Sequence, residues 1–242
     1  MYLFELYHQY TKLHASEATK PPPVATWPKE WTTTEIKHYP RFTTFNLPEA
    51  TPLTMNLSES LLQRQSCRDF SKLLSKAELS SLLFYSIGEK NKTYNEGVGK
   101  RMYPSGGARF PLEFYVVLMK PIGDLETGIY HYALDSHGLT RLMTLSRQEI
   151  IEAKITTYEY VNHAHVGILC TGLFARSNQK YGERAYRFGL LEAGTTAQNF
   201  GLVATALGIG SVIIGGVVDD TWEELLDLDG FDETILYGMF FG

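Results

Sequence analysis

Hydrophobic positions along this chain fall into three regimes. Over residues 1–15 Leu3, Leu6, Tyr7, Tyr10 and Leu13 recur at helical spacing and predict one apolar stripe. From residue 20 to residue 52 the prolines Pro21, Pro22, Pro23, Pro28, Pro40, Pro48 and Pro52 interrupt any period. That spacing disfavours helix or central strand and predicts an arm lying along a surface, one able to wrap a partner subunit. Beyond residue 55 the pattern alternates between helical and strand-like segments, so we divide the chain into an N-terminal helix with an extended arm, 1–55, and a folded domain, 56–242.

Within that domain residues 58–65 are helical in pattern, and Ser75 with Glu78 forms a capping box opening a helix through Leu79, Leu82, Leu83 and Tyr85, with Gly88 as its stop. The run FYVVLM at 114–119 predicts a strand, residues 128–142 predict two strands joined by a turn at 135–138, and 165–171 predicts another. Residues 184–207 form the longest helical candidate, with Leu190, Ala193, Ala197, Phe200, Ala204 and Leu207 along one face. Its alanines predict close packing against another helix or a dimer mate. Asp219 or Asp220 is expected to cap a short helix through Leu226, and 234–241 to close the chain as a strand.

Composition narrows the function. The chain has 242 residues, a net charge of -5 and no clustered Lys/Arg face, which argues against nucleic-acid binding. Two cysteines, Cys67 and Cys170, do not make a disulfide framework, and the N-terminus does not read as a secretion signal, so the cytoplasm is the expected location. Residues 201–218 carry no charge, but five glycines break the stretch, which fits a buried helix, turn and strand better than a membrane span. The histidines include no metal-binding spacing beyond His163-x-His165, and no nucleophile motif is present. Gly208-x-Gly210 follows a helix and precedes a strand, the reverse of the dinucleotide fingerprint.

Three stretches carry candidate chemistry. Arg64, Ser66 and Arg68 alternate in R-Q-S-C-R, and in an extended backbone two forked guanidiniums and a hydroxyl suit a phosphate. Taken alone, such a motif is as well read as two solvated surface charges. Pro104, Ser105, Gly106 and Gly107 precede a strand and would let a ligand approach bare backbone, unless they form a plain turn. Ile213, Ile214, Gly215 and Gly216 offer a second place for a flat ring against main chain, or simply a tight bend.

Taken together, YHQYTK, RQSCRDF, PSGGARFPLEFYVV, GIYHY, KYGERAYR, EAGTTAQNFGLVATALGIG and the final aromatic strand resemble the SagB/McbC-type dehydrogenases, a branch of the FMN-dependent nitroreductase-like family. The resemblance runs over nearly the whole chain. It implies an α+β fold, a mixed, mostly antiparallel sheet flanked by helices, in an intertwined homodimer with one FMN in each interface groove. Arg64, Ser66 and Arg68 would then hold the phosphate and ribityl chain. Pro104, Ser105, Gly106 and Gly107 would border the isoalloxazine from the partner subunit, and Ile214, Gly215 and Gly216 would lie near the ring. Many relatives place a further basic residue near the C-terminus; here no Lys or Arg follows Arg187.

The azoline-oxidising branch is further marked by an adjacent Lys-Tyr pair serving as acid-base residues, and Lys180-Tyr181 stands in that place. Making an azole from an azoline removes a ring proton and a hydride, so a base must be in reach. The resemblance thus implies oxidation of thiazoline or oxazoline rings in a peptide or small molecule, with dioxygen as terminal acceptor, in association with a cyclodehydratase complex. Two alternatives stand beside it: a broad-specificity NAD(P)H-dependent nitroreductase, and a non-catalytic scaffold subunit of such a complex.

Overall fold

The computed structural model describes residues 2–16, 20, 22–91 and 100–242; of the proline-rich stretch, residues 17–19 and Pro21 lie outside the described residues. Helices α1 (Leu3–Tyr10) and α2 (Lys29–Thr32) come first, followed by a three-residue strand β1 (Thr44–Asn46) and helices α3 (Leu57–Gln63) and α4 (Lys76–Ile87). A small strand pair, β2 (Glu89–Asn91) with β3 (Lys100–Arg101), leads to β4 (Leu112–Leu118), β5 (Gly128–Ala133) and β6 (Gly138–Thr144). The chain continues through α5 (Arg147–Glu152), β7 (Val166–Leu173), α6 (Ala175–Tyr181), α7 (Arg184–Ala206), β8 (Ser211–Ile214), α8 (Asp219–Leu226) and β9 (Glu233–Phe241). Seven strands form one sheet in the order β1-β6-β5-β4-β7-β9-β8, flanked by helices, and each described pairing in it is antiparallel.

The sheet is buried on both faces, which explains why FYVVLM reads as a continuous apolar run rather than an alternation. Phe114, Val116 and Leu118 of β4 point to one core with Leu79, Leu82 and Leu83 of α4 and Ala193, Ala197 and Phe200 of α7. Tyr115 and Val117 point to the other, with Trp222 and Leu226 of α8. Ile235 and Tyr237 of β9 are two residues apart yet face opposite cores, because a bulge opposite Cys170 and Thr171 shifts the register between them.

Local signals place the helices that frame the site. The Ser75 hydroxyl accepts from the Glu78 amide while the Glu78 carboxylate accepts from the Ser75 amide, the expected capping box, and α4 ends at Gly88. The expected Asp cap of α8 is corrected: Val218 occupies the N-cap, and Asp219 and Asp220 lie in the first turn, where their charge complements the helix dipole. The α1 stripe exists, but no residue of α1 is buried within this chain.

The proline-rich arm lies on its own chain. Trp31 Nε1 donates to the Gln179 carbonyl at 2.9 Å, the Thr34 hydroxyl to the Ala108 carbonyl at 3.1 Å, and the Lys37 ammonium pairs with Glu233 at 2.6 Å. Further on, the arm supplies β1, which pairs with β6 at the sheet edge. These contacts run the arm past α6 and the Gly-rich turn.

Candidate functional site

The turn between β3 and β4 gathers three left-handed residues within four positions. Gly107, Ala108 and Phe110 have φ of 60°, 55° and 45°. Only glycine adopts that region freely, and a bulky residue there costs roughly 1–3 kcal/mol unless its surroundings hold it. They do: the Phe110 amide donates to the Ser105 hydroxyl at 2.8 Å, and the Phe110 carbonyl accepts from the Arg176 guanidinium at 3.1 Å.

Helix α6 brings Lys180 and Tyr181 onto this turn. A methyl group built on Gly107 would sit 2.9 Å from Lys180 Nζ and in outright overlap with the Tyr181 hydroxyl. The sequence-predicted Pro104, Ser105 and Gly107 therefore meet Lys180 and Tyr181 in one open cleft of about 670 Å³, lined also by Tyr103, Phe110 and Trp27 and by the basic Lys90, Lys100 and Arg101. That volume suits a flat ring system among aromatic walls. Trp27, from the arm, presents its ring face 3.7 Å from Lys180 Nζ. Burial, and then the Arg109 charge, pull the Lys180 ammonium below its usual pKa. Burial pushes the Tyr181 phenol above its own, against the Arg109 charge. Of the pair, the lysine is thereby the one whose proton loss is eased.

Gly107→Ala tests this packing. The left-handed backbone costs about 1 kcal/mol for alanine, a small change in stability by urea unfolding. The displaced atoms are flexible ends, so the protein is expected to fold while Lys180 and Tyr181 leave their places; turnover falls far more than stability.

Glu192 of α7 is a residue the sequence did not single out. One carboxylate oxygen accepts from the Ser105 hydroxyl at 2.9 Å and from the Gly106 amide at 3.0 Å, while the other has no partner among the described residues. Burial raises its pKa to about 7, against these hydrogen bonds and the Arg101 charge. A mid-helix Glu reads as surface until the fold is known; nothing in its spacing marks it.

A buried ionic group anchors α6. Glu113 of β4 contacts Arg176 of α6 at 2.6 Å with one oxygen and His131 Nε2 at 2.8 Å with the other. Burial alone would raise the Glu113 carboxyl, but the His131 hydrogen bond and the Arg176 charge outweigh it and hold the pKa at about 2. Arg109 extends the chain of contacts, donating from Nε to the Arg176 carbonyl and from Nη1 to the Thr33 carbonyl of the arm, each at 2.7 Å.

The other predicted residues lie elsewhere. Arg64, Ser66 and Arg68 follow α3 in irregular chain, where the Cys67 amide donates to the Ser211 carbonyl of β8 at 2.8 Å. Arg64 packs its aliphatic stem near Gly201 of α7, and the Arg68 guanidinium stands 5.7 Å from the Tyr160 ring. Among the described residues neither arginine has an acidic partner within ion-pair distance. Ile214, the last residue of β8, is buried in the core, while Ile213 is 46% exposed. Gly215 is exposed, and Gly216 packs on Tyr158. No described cavity is lined by both this group and the Lys180–Tyr181 cleft. His165, of the only close histidine pair, accepts the Leu74 amide through Nδ1 and serves the core.

Comparison with known proteins places these features. The model of the nitroreductase family matches residues 61–242. A protein of Methanocaldococcus jannaschii named as a candidate nitroreductase is 30% identical over 175 residues, 72% of this chain and 85% of its own. The trifolitoxin-processing protein TfxB of Rhizobium leguminosarum bv. trifolii is 29% identical over 79% of this chain, and the microcin B17-processing protein McbC of Escherichia coli 29% over 60%. The matches span 54% and 55% of those two relatives' lengths. Among solved structures, a candidate nitroreductase from Anabaena variabilis superposes with a TM-score of 0.75 at 24% identity, over 98% of this chain and 45% of that one. A chain of the E. coli microcin synthetase McbBCD complex with truncated pro-MccB17 gives 0.63 at 22%, over 99% and 91%. A candidate nitroreductase from Desulfovibrio desulfuricans in complex with FMN gives 0.52 at 22%, over 78% and 87%. These structural likenesses establish the fold.

Proposed function

The chain belongs to the nitroreductase family, and from that premise we propose that it is an FMN-dependent oxidoreductase that converts thiazoline or oxazoline rings of a peptide to thiazole or oxazole, with dioxygen as terminal acceptor. The observation that carries the reading is the meeting of Lys180 and Tyr181 with the Pro104–Gly107 turn in one aromatic cleft. Similarity to TfxB and McbC, both named as peptide-processing proteins, supports the same branch. The chemistry a bound FMN supplies is hydride acceptance followed by reoxidation.

The residues present fit that group. Gly107 leaves room where any side chain would collide with Lys180 and Tyr181, so backbone borders the cleft there. Arg64 and Arg68, without an acidic partner among the described residues, and Ser66 supply the donors a phosphate needs. Ile214, Gly215 and Gly216 offer backbone beside them. Among the described cavities none is lined by both this group and the Lys180–Tyr181 cleft, and the reading takes each site to be completed across a homodimer, drawing on both copies. The apolar α1 stripe, with Leu3 85% and Tyr10 77% exposed, supports such a partner surface. The 1–55 arm then serves a second purpose, carrying Trp27 onto the cleft of its own chain while 56–242 binds the cofactor.

In the cleft, Lys180 takes the proton from the ring carbon beside the peptide carbonyl, and Tyr181 orients or relays it. Trp27 flanks the flat ring, and the buried Tyr103 and Phe110 give the cleft an apolar floor. A substrate delivered by a cyclodehydratase complex suits the reading, since such enzymes make the azoline consumed here.

Purified protein is expected to be yellow, to run as a dimer, and to release FMN on denaturation. With an azoline peptide it consumes dioxygen and loses two mass units per ring. Oxidation of NADH with a nitroarene, and no action on azolines, would instead establish the nitroreductase reading that the M. jannaschii similarity favours. A colourless monomer that takes up no flavin would leave the scaffold reading.

A further inference from the structure

Glu192 stands apart from everything used so far. The residue is 5% exposed in the first half of α7, and one carboxyl oxygen gathers two donors, the Ser105 hydroxyl and the Gly106 amide, from the turn that borders the cleft. Ser105 in turn accepts from the Phe110 amide, so Glu192, Ser105 and Phe110 form one hydrogen-bonded line across a turn whose residues 107, 108 and 110 are all left-handed. Such a backbone persists only while something holds it. The second Glu192 oxygen is buried without a partner among the described residues, which leaves the anion only partly compensated.

We propose that Glu192 is the positioning residue of the Ser105–Gly107 turn: ionised, it fixes the turn against α7 and shapes the cleft for its flat ligand; protonated, it lets the turn go.

The physical reason is the strength of the two bonds. A carboxylate accepts shorter and roughly twice stronger hydrogen bonds than a neutral acid. Burial opposes ionisation while the bonds favour it, which brings the pKa to about 7, where a modest pH change redistributes the two forms. The groups facing the carboxyl from each neighbouring element are few. Arg101 of β3 favours the anion. The Tyr103 phenol in the same loop, Tyr181 of α6 and Cys170 of β7 each sense the Glu192 charge and are held neutral by burial. By linkage, a ligand that needs the turn fixed binds more tightly as pH rises through this range and releases a proton on binding.

The test follows the Gly106 amide, the donor itself, by ¹H–¹⁵N NMR from pH 5.5 to 8.5, with FMN affinity measured in parallel by flavin fluorescence quenching. The Gly106 shift is expected to titrate with a midpoint near 7, and FMN binding to tighten by about fivefold across it, the net worth of strengthening a hydrogen bond to a charged acceptor. In Glu192→Gln, which keeps the shape and one acceptor oxygen, both dependences should flatten. The FMN phosphate itself titrates near pH 6, and the Gln variant retains that contribution, so the comparison isolates Glu192. Ser105→Ala removes one donor to the anion and should move the midpoint upward.

A Gly106 shift that does not titrate in the wild type, or one that titrates unchanged in Glu192→Gln, overturns the proposal. So does a titrating Gly106 with FMN affinity equally pH-dependent in both proteins. The link to flavin rests on the proposed function; the Gly106 titration does not. If the protein takes up no flavin at any pH, the proposed function fails, while a Gly106 titration abolished in Glu192→Gln still establishes Glu192 as the group that holds the turn.

Discussion

Lys180→Ala is expected to lower kcat/KM for azoline oxidation by about 10²- to 10⁴-fold, the range that a positioned proton acceptor contributes. The electrostatics divide the roles in the pair. Burial and the Arg109 charge pull the lysine below its usual pKa, whereas burial holds the tyrosine protonated. An amine acts as a base only when neutral, so kcat/KM in the wild type should rise with pH through the Lys180 pKa, and that limb should lie below the ordinary lysine value of 10.5. Tyr181→Phe removes a hydroxyl that orients the proton transfer and not the base, and should cost only about fivefold. Trp27 works in the opposite sense to burial, because its ring face at 3.7 Å favours the ammonium form. Trp27→Ala should therefore move the rising limb to lower pH while weakening ring binding through KM. If instead Tyr181→Phe abolishes turnover and Lys180→Ala keeps it, the roles are reversed; if both keep it, the chemistry lies outside this cleft.

How much of this was legible in the sequence depends on the range of the interactions. The α4 capping box, the β5–β6 hairpin and the α7 stripe were readable because each is set by residues within about two helical turns or one strand pair. Even so, the stripe is buried only in its middle: Ala193, Ala197, Phe200 and Ala204 are core, while Leu190 at 42% exposure turns away from it. β1 was missed because three residues in a proline-rich arm carry no period, and its partner β6 lies some ninety residues on. The cleft was half legible. The Gly-rich turn and the Lys-Tyr pair stand out as motifs, but that Gly107 touches both Lys180 and Tyr181 follows only from the path of α6. Glu192 and Glu113 carry no sequence signal at all, since an acid in a helix or strand reads as surface until tertiary structure buries it. The arm was legible as a segment lying along a surface; that its Trp27 and Trp31 meet α6 of the same chain follows from contacts no local pattern encodes.

Glu113→Gln is expected to destabilise the fold by roughly 3–5 kcal/mol, because it leaves the Arg176 guanidinium buried against a neutral partner. For a chain of this size that corresponds to a fall in Tm of roughly 6 to 20 °C. The pH dependence fixes the cause. The folded carboxyl is held at about 2 against an ordinary value of 4.5, so its contribution is fully present above 4.5 and is lost as pH falls from there toward 2. The stability gap between wild type and Glu113→Gln, measured by urea unfolding, should therefore be constant above that window and close within it. A gap below about 1 kcal/mol, the worth of a surface ion pair, or one indifferent to acid, would remove the argument. The consequence reaches the chemistry because Arg176 is the joint of the cleft: its guanidinium holds both Glu113 and the Phe110 carbonyl, and its own carbonyl holds Arg109, which in turn holds the arm at Thr33. Loosening that one side chain frees α6, the strained turn and the arm together, so even a folded Glu113→Gln protein should place Lys180 poorly and lose turnover with little change in flavin content.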